Sequence, residues 1–176
     1  MLLQKNSDIC PIANWAQLVN CIGIIQTDPN GLILTPVFLA FKLFTEHMHD
    51  NLIKDISVNC PIFNSNKFGA IPKYENVPII ACNATIDNSS EHLSIMLVNK
   101  HFNDNLKINL EIKEFLPKNN GSIIKLTSNS PFDYNTIENR NKIKIIENKI
   151  DNIEPNITID LDPHSITILK LSKKQL

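Results

Sequence analysis

Two spacings of apolar residues divide this chain near Asp50. Before it, apolar positions recur at helical intervals around one buried run. Ile12, Trp15, Ala16, Val19 and Ile22 fall at helical spacing. Pro11 suits a first helical position and Gly23 the residue past the end, so the pattern predicts a helix stopping near Cys21. A short apolar run from Ile22 to Ile25 reads as a strand. Asp28-Pro29-Asn30-Gly31 reads as a turn, because proline pre-sets one backbone angle and Asn-Gly tolerates the positive one. Leu32 to Leu34 leaves the turn, and Thr35-Pro36 supplies an N-cap hydroxyl and a first-turn proline. Val37, Phe38, Phe41, Phe44 and Met48 then place an apolar stripe along a second helix. Helix, buried strand, helix is the alternation of an α/β layer.

Beyond Asp50 the period shortens to two. Ile53, Ile56 and Val58, then Val77, Ile79, Ala81 and Ala84, then Leu93, Ile95 and Leu97, then Leu106, Ile108, Leu110 and Ile112 largely alternate with polar residues. That is the signature of half-buried strands. The series continues through Ile123 to Leu126, Lys142 to Ile150, Ile157 to Leu161, and Ile166, Ile168 and Leu171. Turn clusters separate the runs at Asn64 to Asn66, Asp87 to Ser90, Lys118 to Gly121, Ser128 to Pro131 and Asp162-Pro163. Short strands at such intervals predict an antiparallel β-sandwich or barrel, so the fold class is mainly β, with two parts meeting near Asp50.

Composition narrows the function classes. The 176 residues suffice for one ordinary domain with a real core, and 43% apolar against 20% charged residues argues against disorder. A formal charge of −1 gives no reason to expect nucleic acid or an anionic membrane as partner. Met1-Leu2-Leu3 gives way at once to Gln4, Lys5 and Asn6, which is too short for a signal-peptide core, and no apolar run could span a bilayer. The chain itself thus reads as soluble and, by default, cytoplasmic. Cys10, Cys21, Cys60 and Cys82 form no CxxC pair and have no histidine at a zinc-finger interval, so they are expected to be small buried thiols rather than metal ligands.

Two strings carry a resemblance. Ala13, Asn14, Ala16, Gln17, Leu18, Val19 and Asn20, followed at the expected distance by Leu34, Thr35, Pro36, Phe38, Phe41 and His47, resemble the end of the catalytic barrel in α-L-arabinofuranosidases of glycoside hydrolase family 51. Leu93 to Asn99 resembles the strand ending in valine-asparagine in the C-terminal sandwich of those enzymes, Asp133 to Asn139 its Asn-x-x-Glu-Asn segment, and Asp162 to Leu169 its closing strand. The resemblance implies a jelly-roll-like sandwich over 50–176, preceded over 1–49 by the last helix-strand-helix of a (β/α)8 barrel.

It also implies a retaining glycosidase, in which one carboxylic acid protonates the leaving oxygen and a second carboxylate attacks the sugar. Both family glutamates lie upstream of the matched region, so no residue here is assigned a catalytic role. A complete barrel takes roughly 250 residues, of which at most about fifty are present, and this chain alone is expected not to hydrolyse glycosides. Glu46 and Asp50 read as solvated helix charges. Glu111 and Glu114, on a continuing strand, would point to opposite faces. His47 and His49 cannot chelate one ion from a helix, and His92, His101 and His164 stand alone.

Active sites of barrels gather at the C-terminal ends of strands, which directs attention to the loop from Thr27 to Thr35. Thr35 is the candidate substrate contact, in competition with its role as an N-cap. Neither a metal nor an organic cofactor is implied. The partner implied is an arabinose-containing saccharide held by the intact barrel, and the resemblance allows a homo-oligomer. The alternative is a non-catalytic interaction or carbohydrate-binding module, which would need exposed aromatic rings. One Trp and two Tyr are a poor supply.

Overall fold

The computed structural model describes residues 1–175. A one-turn helix α1 (Leu2–Lys5) precedes an irregular stretch, then a hairpin of β1 (Ile25–Asp28) and β2 (Gly31–Leu34), then helix α2 (Pro36–His47). Ten strands follow: β3 (Asn51–Leu52), β4 (Ile62–Ser65), β5 (Tyr74–Pro78), β6 (Ile80–Ile86), β7 (His92–Asn99), β8 (Leu106–Glu111), β9 (Pro117–Leu126), β10 (Ile145–Asp151), β11 (Asn156–Leu161) and β12 (Ser165–Lys173). Six of them form one antiparallel sheet in the order β10-β9-β12-β7-β6-β3, and β8 and β11 pair separately.

The strand alternation assigns each residue to a layer. On β7, Leu93, Ile95 and Leu97 face a core shared with Ile80, Cys82 and Ala84 of β6, Leu169 and Leu171 of β12, and Ile159 and Leu161 of β11, with Phe115 and Ile153 closing it. This is the interior of a β-sandwich, filled from both sheets. The opposite face of the large sheet is also covered. Ile124, Ile168 and Met96 lie in register across β9, β12 and β7 with no exposed surface, and Leu39 and Leu43 of α2 pack on them. The helix therefore makes a third layer.

Two rows along, the same face turns polar: Thr85, Ser94, Lys170 and Ser122 stand in register. His47, the last residue of α2, has a buried Nδ1 without a hydrogen-bond partner, and the Ser94 hydroxyl is likewise unpartnered. Burial and the neighbouring Lys170 hold the His47 imidazole below its ordinary pKa of 6.5, with Lys42 adding to that effect and Glu147 and Glu46 opposing it.

Several sequence expectations are corrected. The predicted helix ending near Cys21 is absent: residues 11–21 are irregular, with left-handed backbone at Gln17, Asn20 and Cys21. Ile12, Leu18, Val19 and Ile22 are exposed, so among the described residues little beyond the Trp15–Phe41 contact covers the apolar stripe that such a helix needs for its stability. The strand expected over 22–25 begins instead at Ile25. On α2, the buried residues are Leu39 and Leu43, while Val37 and Phe41 face outward. Ile53, Ile56 and Val58 lie outside any strand, and of these Ile53 and Ile56 pack against the sandwich core while Val58 is exposed.

Lys118 to Gly121 is strand rather than turn. Pairing of Gly121 with both β10 and β12, and of Asn120 with β10, overrides its turn-like composition, and a Cβ at Gly121 would lie 2.5 Å from the Lys170 carbonyl oxygen. Of the cysteines only Cys82 is buried, its thiol pushed up to about 11 by burial. Cys21 is exposed, and Cys10 and Cys60 are half-buried.

Because Leu43 is fully enclosed between α2 and the sheet, Leu43→Ala should cost about 3 kcal/mol in urea unfolding. Phe41→Ala, on the outward face, should cost less than about 1 kcal/mol. His47 adds a pH dependence. Its folded pKa lies below the unfolded value, so the unfolded chain binds more protons in the interval between them. The corresponding stability is present above pH 6.5 and is lost as the pH falls below it. His47→Gln should flatten that decline in unfolding curves taken from pH 7.5 to 5.

Candidate functional site

The loop from Thr27 to Thr35 that the sequence singles out is not irregular: it forms the end of β1, the turn and β2 of the hairpin, with Thr35 just beyond. Its turn forms as the residues dictate: the Asp28 carboxylate accepts the Asn30 amide proton at 2.6 Å, and Gly31 takes a φ of 146°. Below it, the preceding segment runs alongside β1. Ile25 N–H donates to Leu18 O at 3.0 Å, Asn20 N–H donates to Ile25 O at 2.8 Å, and Val19 and Ile25 form a parallel bridge. Asn20 tightens this contact, its side-chain oxygen accepting Thr27 N–H at 2.7 Å. Gln17 lies in the same stretch, and Trp15 donates its indole proton to Ile22 O at 3.2 Å and meets Phe41 edge-on at 5.9 Å.

Thr35 sits where the hairpin becomes α2. Its hydroxyl donates to Ile24 O at 2.7 Å and accepts the Phe38 amide proton at 3.3 Å, so the capping role is filled. The loop between β9 and β10 reaches the same region from the sandwich. Asn135, 5% exposed, donates to Leu34 O at 3.0 Å, and Arg140 Nη2 donates to Asn30 O at 2.9 Å. Both residues fall in or beside the Asp133 to Asn139 segment, but single polar residues in an Asn-rich loop gave no periodic signal of these roles.

Two further loops meet the β9–β10 loop at one end of the sandwich. Asn99 is buried and donates to Asp104 O and Asp162 O while accepting His101 N–H. The ring nitrogens of His164 lie 2.9 and 3.0 Å from the carbonyl oxygens of Phe102 and Ser128, and the ring N–H donates to one of them. Phe102 and Phe132 consequently stand together, 5.6 Å apart edge to face, and both are exposed, as is Tyr134. The Phe102–Phe132 pair was not foreseen, because its members are remote in sequence and adjacent only through the loops.

The remaining ionisable groups do not converge. Glu46 pairs with Lys42 at 3.7 Å and Glu111 with Lys113 at 3.5 Å, all on exposed side chains. Asp133 is held below the usual carboxylate range by its hydrogen bond from Lys142. Asp87 is brought down to about 2, chiefly by the Ser89 hydroxyl and the His92 amide. Both shifts are opposite to what a general acid needs. His49 and His92 approach with ring centres 6.4 Å apart, and no group of three metal-binding side chains occurs among the described residues. No helix among them is long and apolar enough to cross a membrane.

Comparison with known proteins places this geometry. The family model described as the α-L-arabinofuranosidase C-terminal domain matches residues 1–165. The α-L-arabinofuranosidase of Thermotoga maritima, solved as an arabinose complex, is 33% identical over 97% of this chain and 36% of its own, with a TM-score of 0.89. The thermostable family 51 enzyme of Thermotoga petrophila is 32% identical over 96% of this chain and 35% of its own, with a TM-score of 0.84. The family 51 enzyme of Xanthomonas axonopodis, at 20% identity and a TM-score of 0.76, shares the fold. The chain spans about a third of the length of each of these relatives.

Proposed function

We propose, from the premise that this chain belongs to the α-L-arabinofuranosidase C-terminal domain family, that it is the C-terminal part of a retaining α-L-arabinofuranosidase. The whole enzyme would remove terminal arabinofuranosyl units from polysaccharides or oligosaccharides. Residues 1–49 complete the catalytic barrel and 50–176 form the sandwich that braces it. The two carboxylates that such hydrolysis requires, an acid and a nucleophile about 5 Å apart, belong to the upstream two-thirds. In this chain the loop from Thr27 to Thr35 lies nearest the sugar. Thr35 keeps one hydroxyl lone pair for a substrate contact, since its proton and its other lone pair serve Ile24 and Phe38.

One observation carries this reading. Ile9, Ile12 and Ile22 are 78%, 74% and 71% exposed, with Leu18, Val19 and Trp15 beside them, while the sandwich core behind is closed. Six large apolar side chains exposed within fourteen residues mark a surface that another part of a protein covers. The missing two-thirds of a relative-sized chain is the occupant of the right kind.

A second reading has its own observation. The exposed group of Phe102, Phe132 and Tyr134 offers ring faces on which a sugar could stack, as a free-standing carbohydrate-binding module would require.

One assay separates the two. The chain should be co-expressed with the part of the Thermotoga maritima enzyme that it does not match, then tested on an aryl α-L-arabinofuranoside. The expected result is hydrolysis by the pair and by neither part alone, lost when Ile12 and Ile22 are both changed to Ser. Failure of the two parts to associate, together with retention of the chain on an arabinan gel that Phe132→Ala abolishes, would instead establish the binding-module reading.

A further inference from the structure

We infer that Asn135 and Arg140 are positioning residues for the substrate loop: from the sandwich they fasten the turn and the base of the β1–β2 hairpin. This deepens the reading above and rests on it, since the hairpin matters to catalysis only as the loop that follows the last barrel strand. The sandwich then sets the geometry of the sugar site as well as bracing the barrel.

The bonds of Asn135 separate anchor from reach. Its side chain accepts Ile143 N–H at 2.7 Å and donates to Ile143 O at 2.9 Å, a two-point attachment within its own loop. The same amide nitrogen then donates to Leu34 O at 3.0 Å, across 101 residues of sequence. Burial strengthens these bonds and makes each costly to leave unmade. Leu34 immediately precedes Thr35, whose hydroxyl binds Ile24 O, so one amide locates the point where hairpin, cap and preceding segment meet.

Arg140 acts at the other end of β2. Its Nε donates to Ile137 O at 3.3 Å, which orients the guanidinium, and Nη2 donates to Asn30 O at 2.9 Å. The guanidinium occupies the space that a side chain at position 31 would fill, and Gly31 also holds a positive φ of 146°. Glycine here is required by its backbone angle, and a side chain in its place would have to push the arginine end aside. Two clasps from one loop, at the tip and at the base, leave the hairpin little freedom to shift against the sandwich. Displacement of a substrate-bearing loop by about 1 Å can cost up to about a hundredfold in rate.

Arg140 is exposed, so Arg140→Ala should leave the sandwich folded. In the chain alone, that variant should speed amide hydrogen exchange of residues 28–35 about tenfold or more, with β6, β7, β9 and β12 unchanged. In the chain paired with the upstream part of the Thermotoga maritima enzyme, it should raise KM for the aryl arabinofuranoside about tenfold with kcat within about twofold, and Arg140→Lys should recover most of that loss. Unchanged exchange in the hairpin would overturn the clasp. Faster exchange with unaltered kcat and KM would overturn the positioning role and leave a structural brace. An inactive wild-type pair would sink the hydrolase reading and this inference with it, whatever the exchange data show about the clasp.

Discussion

A six-stranded sheet that is apolar on both faces cannot stand in water, and the rest of this structure follows from covering it twice. The β8–β11 pair and the segments carrying Phe115 and Ile153 cover one face, burying Leu93, Ile95, Leu97, Leu169 and Leu171. Helix α2 covers the other, over Met96, Ile124 and Ile168. Burial of side chains of this size is worth roughly 1.5–3 kcal/mol each before conformational entropy is counted, so each cover is a condition for the sheet rather than an ornament. Consequently α2, though it lies before Asp50 and resembles part of a barrel, shares its core with the sandwich.

The same constraint leaves residues 9–22 outside. The helix layer ends in Leu39 and Leu43, and the apolar residues of the preceding segment find no remaining sheet face to occupy. Apart from the edge-on contact of Trp15 with Phe41, they are held by backbone bonds to β1 and by Asn20. A local conformation maintained mainly by hydrogen bonds at an exposed site is where a covering partner has most to contribute.

Much of the sandwich was legible in the sequence because period two is a local property. The alternation at Leu93, Ile95 and Leu97 and at Leu106, Ile108 and Leu110 needs no knowledge of partners, and the turns at Asp87 to Ser90 and Asp162-Pro163 follow from their residue types. Where a prediction depended on what a segment meets, it failed. The helical spacing of Ile12, Trp15 and Val19 is real, but a helix so short needs tertiary contact that these described residues do not supply. Lys118 to Gly121 has turn composition yet lies within β9, with Gly121 paired on both sides. The hairpin turn and the Thr35 cap were readable. The Asn135 and Arg140 contacts were not, since a side chain reaching across about a hundred residues leaves no trace in spacing.

The most direct measurement is the mass of the native polypeptide in its source cells, detected with an antibody against residues 51–175. If this chain is the C-terminal part of a longer hydrolase, the band should lie at roughly 55 kDa, with the 19.9 kDa of this chain taken as 36% of the whole and a full barrel of about 250 residues supplied upstream. A single band near 19.9 kDa would contradict it, leaving the exposed face of residues 9–22 without the covering part that a hydrolase requires.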